Sequence, residues 1–518
     1  MVAFMSTFLL WWIVTAFVYH HTQSNFLRAE SGWYLFLSNA APAVQHDFEK
    51  NLLTKSFKGH YTPFAFLFEF ATAKLIGTHA GFWKWRQITV LALLATTLFL
   101  FARNTGCALQ LTRLRAGFSA VGLSAILIFQ PQMRDFVAWP FMILQIFWLL
   151  FTVLGLLSLV QTVRRPGESL WPWLAAGASY ASLHFLGLGI ATVAATAATL
   201  AGIWLGTRRR VSSDDSKIIL PLLSMIALTT LHAAVMLEFP WEKAAAPATG
   251  WQTTSFLMAS LGFIPNFAFA TVRSLVSAGQ LIPSAWQITQ DWPYGLAILL
   301  GFGFLVSSAF LRFLREPTTP NQARFVLRTF ASVSFLGIIV LASVRAWREP
   351  SPHGFADYLA GSRYLIPSTF ALAGLLGELL FLFASAPSLL NASLNAGLMV
   401  CAILGNLQYA ANVYPKVEPR SMISHARAWQ AVVAMARECQ RANLPIPNVP
   451  LGALTQEFDD WDLKLFAPLL RADLKEPPGT GLRFVAWSDF RNELPNEYYR
   501  NVPSLGEVQK RLGLETQK

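Results

Sequence analysis

The sequence predicts an all-α polytopic membrane protein of 11 spans, with a small, mainly helical extramembrane domain at its C-terminal end. Three observations carry this expectation. Apolar residues make up 54% of 518 residues and charged residues only 13%, against about 25% charged in an ordinary soluble domain. Long windows hold no charge at all, as membrane spans do. Basic residues come in short clusters between apolar runs, the pattern of cytoplasmic loops beside membrane helices.

Other classes fall away. A disordered chain would be poor in apolar residues. Three cysteines do not make a disulfide scaffold. The net charge of +12 invites a nucleic-acid reading, but +11 of it lies in residues 1–415, dispersed among the apolar runs. A nucleic-acid surface would gather that charge on one face.

The basic clusters serve as a topology test, because any two of them on the inside are joined by an even number of crossings. They are Arg103/Arg113/Arg115, Arg164/Arg165, Arg208/Arg209/Arg210 with Lys217, and Arg312/Arg315 with Arg324/Arg328. Residues 4–19 form the first span, without a charged n-region or a clear cleavage site, and so read as an uncleaved anchor. Residues 63–77 are apolar but carry Glu69 and Lys74. Had they crossed, every Arg cluster would move outside; they are expected as a horizontal helix in an external loop, 20–80. The next span, 80–102, ends at Arg103 inside.

Runs 116–130 and 136–163 then cross, with the polar break Gln130–Asp135 outside. The uncharged stretch between Glu168 and Arg208 is 39 residues. As one helix it would measure roughly 58 Å, twice the hydrocarbon core, so it is expected as two crossings turning near His184. Spans at 218–236 and 294–314 flank a second external loop, 237–292, whose middle, Ser255–Ala270, is apolar and contains Pro265. A span at 329–344 leads outside to Arg345, Arg348 and Arg363. Residues 364–406 carry one charge, Glu378, and the break Ala386-Pro387-Ser388 divides them into two crossings. The N-terminus is then cytoplasmic and the C-terminus outside, as in a bacterial inner-membrane protein.

Two domains are expected: a transmembrane part, 1–406, and an extramembrane part, 407–518. In the latter, residues 421–441 have helical patterning, and the glycines Gly479, Gly481 and Gly506 form no nucleotide-binding fingerprint. Many of the 18 Trp, such as Trp83, Trp85, Trp171 and Trp173, flank expected spans, as interfacial belts do. Cys107, Cys401 and Cys439 fall in different compartments, so neither a disulfide nor a cysteine metal site is expected.

The segment Gly59-His60-Tyr61-Thr62-Pro63, the short helix after it, Trp83–Arg86 leading into a span, an acidic first loop, and Arg363-Tyr364 opening a late span occur together. This arrangement over residues 1–406 resembles the integral-membrane glycosyltransferases of the GT-C superfamily, polyprenyl-phosphate-sugar dependent and protein-mannosyltransferase-like. The resemblance implies transfer of a sugar from a polyprenyl-phosphate donor to a cell-envelope glycan, lipid or protein acceptor on the outer face. It leaves the use of a divalent metal open.

By that resemblance Glu30, in Arg28-Ala29-Glu30-Ser31-Gly32-Trp33-Tyr34, is the general base that deprotonates the acceptor hydroxyl. The family more often has an acid pair there; here the second position is Ser31. Partial desolvation beside Trp33 and Tyr34 would raise the basicity of such an acid; a local pair with Arg28 on a wet loop is the competing role. Asp47 and Glu49 are the fallback acids. Asp135 is the second catalytic candidate, as an acid facing the first-loop site, with local pairing to Arg134 as its alternative. His60 and Tyr61 are placed at the substrate; Thr62 before Pro63 is the better helix cap. A lipid-linked phosphate at the interface needs fixed cations, and the guanidinium fork suits it. Arg363 is the main phosphate candidate, Arg348 the second, and Tyr364 a wall of the site.

Three other features are weaker. His184 is expected as a structural histidine in its hairpin. Glu378 is an intramembrane acid, a functional suspect by default, expected towards the inner half or paired with a neighbouring helix. Asn391-Ala392-Ser393 matches a glycosylation sequon beside a cytoplasmic turn and reads as chance. Two other function classes stay open: a lipid-linked glycan flippase or transporter, and a non-catalytic membrane scaffold presenting the C-terminal domain.

Overall fold

The computed structural model describes residues 2–22, 42–55, 61–76, 80–208, 216–238, 263–269, 271–272, 292–347, 362–384 and 387–412. All regular structure among the described residues is helical. Seven helices are long and apolar enough to cross a membrane, and eight if one bent pair is counted as a span. The expected C-terminal domain and its helix at 421–441 lie outside the described residues.

The first helix, α1 (Val2–Tyr19), is followed by α2 (Pro42–Thr54) and α3 (Pro63–Ile76). Helix α2 lies in the expected external loop and was not anticipated. Its Glu49 reaches Lys74 of α3 at 3.5 Å. Helix α4 (Ala80–Ala108) runs antiparallel to α1: the Trp12 Nε1–H donates to Thr89 Oγ1, and Lys84 Nζ donates to the His20 carbonyl. The chain turns at Gln110, whose φ of 67° is left-handed, and re-enters a helix at Thr112, whose hydroxyl accepts from the Arg115 N–H.

Helix α5 (Arg113–Ile128) leads to the short α6 (Met133–Ala138), a single 3-10 turn (Pro140–Met142) and α7 (Ile143–Arg164). Within the break expected outside, Gln130–Asp135, the structure buries Gln130, Pro131, Gln132, Met133 and Arg134 as a tucked-in turn and helix. Helices α8 (Leu170–Leu183) and α9 (Gly189–Arg208) form the expected hairpin, turning at His184. After α10 (Ser216–Glu238), a short helix at residues 263–269 buries Phe263 and Phe267 completely, and its Pro265 carbonyl sits where a Cβ on Gly295 would be. Residues 263–269 of the second loop therefore pack into the protein.

Helices α11 (Trp292–Arg315) and α12 (Thr319–Trp347) are long. Helix α12 carries the Arg324/Arg328 cluster within itself, where the sequence expected a loop before a span at 329. Helices α13 (Ser362–Ala371) and α14 (Ala373–Phe383) meet at a 46° bend, and α15 (Ser388–Asn412) follows the expected break.

Small residues set the tightest contacts, as expected where lipid tails supply no hydrophobic drive between helices. A Cβ on Gly155 would stand 2.9 Å from Ser179 Oγ, and one on Gly337 2.7 Å from Ala191 Cβ. Hydroxyls bridge the same helices: Thr152 to Thr192 at 2.9 Å and Ser179 to Thr196 at 2.6 Å.

The basic clusters gather at one end of the bundle. Asn104 Oδ1 accepts from Gln161 and Arg164, the Asn391 amide donates to the Arg115 carbonyl, and Gly206 abuts Phe313. These contacts bring together the C-terminal ends of α4, α7, α9 and α11 with the N-terminal ends of α5 and α15. Helix α3 lies at the other end. Helices α5 and α8 run between the two ends although each is shorter than the usual span of about 20 residues.

Candidate functional site

Helix α3 rests across the ends of three other helices. The Ala65 N–H donates to the His184 carbonyl at the tip of α8, Phe68 meets Phe147 of α7 edge-on, and Glu69 meets Arg86 of α4. This 14-residue helix, about 21 Å long, thus packs against that end of the bundle.

Beneath it sits a buried ion pair. Arg86 Nη1 lies 2.8 Å from Glu69 Oε1, and the Glu69 side chain is fully buried. Burial pushes the Glu69 carboxyl up to about 7, with the Arg86 charge opposing that rise. Arg86 also donates through Nη2 to the Pro140 carbonyl at 2.8 Å, and its guanidinium lies over the Trp83 ring. Next to it, Gln87 Nε2 donates to the Phe136 carbonyl at 2.6 Å. Arg86 and Gln87 together hold the segment that follows Asp135 by its backbone.

Asp135 stands on α6, half-buried. Arg134 turns away towards α1: Nη1 donates to Thr22 Oγ1 at 2.8 Å, Nη2 to the Val18 carbonyl at 3.0 Å, and the guanidinium faces the Tyr19 ring. Helix α13 packs against α6. Near its far end, Thr369 Oγ1 accepts from Gln130 Nε2 at 3.0 Å. Two expected site elements therefore meet: α6 with Asp135, and α13, which opens on Arg363-Tyr364. Tyr364 packs partly into the core, and its carbonyl accepts from Ser368. The Arg363 side chain lies outside the described residues, as do Glu30, His60, Arg348 and the Asp47 side chain.

Tyr61, expected at the substrate, lies against α2 and α10. Its hydroxyl donates to the Leu53 carbonyl at the end of α2, at 2.8 Å, and its ring meets His232 of α10. His184 stands beside it, with Phe64, Tyr180 and His232 around its ring at centroid distances of 4.6, 4.9 and 5.1 Å. Burial lowers the His184 pKa to about 4, so the ring is neutral. Glu49 is partly exposed and paired with Lys74.

Glu378 finds a partner on a neighbouring helix. Arg328 of α12 grips both carboxylate oxygens, Nε to Oε2 at 2.8 Å and Nη2 to Oε1 at 2.6 Å. Arg328 Nη1 reaches on to the Leu305 carbonyl and Ser308 Oγ of α11. This node joins three helices on the side of the basic clusters.

Sequence reasoning passed over Glu69, Arg86, Arg134 and His232 as site residues. The signal for the first two was available: an acid in an apolar helix and a base in the first turns of the next one both need a partner when buried. No group of three or more His, Cys, Asp or Glu side chains that could hold a metal occurs among the described residues. Cys107 and Cys401 are free.

Fold and site together describe a helical protein, among the described residues, with seven or eight helices long and apolar enough to cross a membrane and a shorter helix packed against one end of the bundle. No family model, curated protein or solved structure matches the chain.

Proposed function

We propose that this protein is an outer-face membrane glycosyltransferase of GT-C type, transferring a sugar from a polyprenyl-phosphate donor to a cell-envelope glycan, lipid or protein. The observation that supports this reading most is the meeting of α6 and α13 at the end of the bundle covered by α3. An acid on one element and an Arg-Tyr pair on the other give a base and an anion ligand on adjoining helices. Glu30 is the first base in this reading, Asp135 the acid behind it, and Arg363 the phosphate ligand with Arg348 second.

The reading has 11 crossings, with α1, α5 and α8 as short spans and the α13/α14 pair as one bent span. The basic end is cytoplasmic, the α3 end faces outwards, and residues 407–518 lie outside, in the inner membrane of a bacterium. Protease added from outside to oriented vesicles should cleave within residues 416–518; protection would reverse the orientation.

The deciding experiment is sugar transfer in reconstituted vesicles with labelled polyprenyl-phosphate sugars. Glu30→Gln and Asp135→Asn should each lose roughly 10²–10⁴-fold in rate, the range for a general base. Full activity in both, with normal insertion, sinks the assignment.

A second reading, a lipid-linked glycan flippase, is favoured by one feature. The 46° bend between α13 and α14, with Pro367 inside α13, is the kind of broken span that transporters place at their sites. Movement of labelled lipid-linked glycan across the vesicle without sugar transfer would select it.

A further inference from the structure

We propose that His184 and His232 form a binding site for a borderline divalent cation such as zinc, at the end of the bundle covered by α3. The two histidines come from different elements, the turn between α8 and α9 and the end of α10. Their ring centroids are 5.1 Å apart, with the rings nearly perpendicular. Two imidazoles on one tetrahedral zinc, at Zn–N of about 2.0–2.1 Å, hold their ring centres roughly 5 Å apart. The observed spacing matches a shared ion.

The nitrogen inventory fits as well. Both residues are more than nine-tenths buried, at 8% and 7% exposure. Both Nδ1 atoms are buried and have no hydrogen-bond partner among the described residues. A buried polar atom left unpaired costs about 1–3 kcal/mol, so two on neighbouring rings are an arrangement that a ligand would relieve. The Tyr61 backbone lies beside His232, and a ligating histidine ordinarily ties its second ring nitrogen to a carbonyl or carboxylate. Burial keeps His184 neutral, the form that binds metal.

Tyr61, Phe64 and Tyr180 wall the site with aromatic rings. The Tyr61 hydroxyl is already committed to Leu53. Two protein ligands therefore leave positions for water or an oxygen ligand, the arrangement of an open site and one of modest affinity. The bound ion would link α3, α8 and α10, because Phe64 and the Ala65 N–H both lie against His184.

The test uses the full chain, tag-free, purified in detergent and stripped with chelator. Equilibrium dialysis against zinc followed by elemental analysis should find one equivalent in the wild type and none in His184→Gln or His232→Gln. Cobalt(II) substitution of the wild type should give the intense visible bands of a tetrahedral nitrogen and oxygen site. The proposal is overturned by no bound zinc, by zinc that both variants retain, or by a cobalt spectrum with thiolate charge transfer. If a variant does not fold, the cobalt spectrum of the wild type decides alone.

Discussion

Glu69 and Arg86 meet at 2.8 Å beneath α3, with the carboxyl wholly out of solvent. The pair ties the covering helix to α4, and through the Pro140 carbonyl to the segment bearing Asp135. Removing one partner of a buried ion pair costs about 3–5 kcal/mol. Arg86→Ala should therefore lower the thermal midpoint of the purified protein well below that of the wild type. An unchanged midpoint would show that the pair does not hold α3 in place.

The same carboxyl sets a pH dependence. Its pKa in the folded protein is raised from 4.5 to about 7, so the folded state holds its proton longer than the unfolded one. The contribution of Glu69 to stability is then full below pH 4.5 and declines as pH rises through about 7. Glu69→Gln, which cannot ionise, is less stable overall for want of the Arg86 partner but should lose this pH dependence, its stability changing less than that of the wild type as pH rises through about 7. Parallel pH–melting curves for the two proteins would remove the raised pKa.

Glu378 is held by both faces of the Arg328 fork. Glu378→Ala should cost about 3–5 kcal/mol by stranding the guanidinium between helices. Adding Arg328→Leu should restore much of the loss, because the double variant buries no lone charge. A double-mutant cycle in melting temperature measures the coupling; strictly additive losses would show that the two residues do not interact.

At the other end of the bundle, the Tyr19 hydroxyl donates to the Ile128 carbonyl at 2.7 Å and accepts from Asn406 Nδ2 at 3.2 Å. The same amide nitrogen reaches the Phe129 and Gln130 carbonyls. Those carbonyls follow α5 and have few helical donors left. Tyr19→Phe should cost about 1–3 kcal/mol. Asn406→Leu should cost more, because it deprives three acceptors at once. Equal losses in the two variants would contradict the network as described.

Gly337 and Ala191 let α12 and α9 approach so closely that an added Cβ would lie 2.7 Å from its neighbour. Gly337→Val should destabilise by about 1–3 kcal/mol through overpacking. Gly397, with open space around it, should accept Ala at little cost. A melting comparison of the two variants separates packing from helix propensity.

Much of the fold was legible in the sequence because the bilayer demands it. A span must be apolar for its length and a basic cluster marks a loop, so the 80–102 span, the hairpin at His184 and the break at Pro387 could be read directly. Helix α2 was not legible, since a polar helix in a loop shows no stripe strong enough to separate it from coil. The burial of Gln130–Arg134 was also missed. A polar run reads as exposed until its partners are known, and those partners, Thr369, Thr22 and Val18, lie more than 100 positions away in the chain.

The sequence by itself determined that this is a helical membrane-type chain and which apolar runs form its long helices. These follow from local quantities, apolar length and charge along the chain. Only the tertiary structure decided which polar residues meet: Glu69 with Arg86, Glu378 with Arg328, and His184 with His232. In an apolar bundle each buried polar group must find a partner, and the choice is made by helix packing across the whole chain, which no local pattern records.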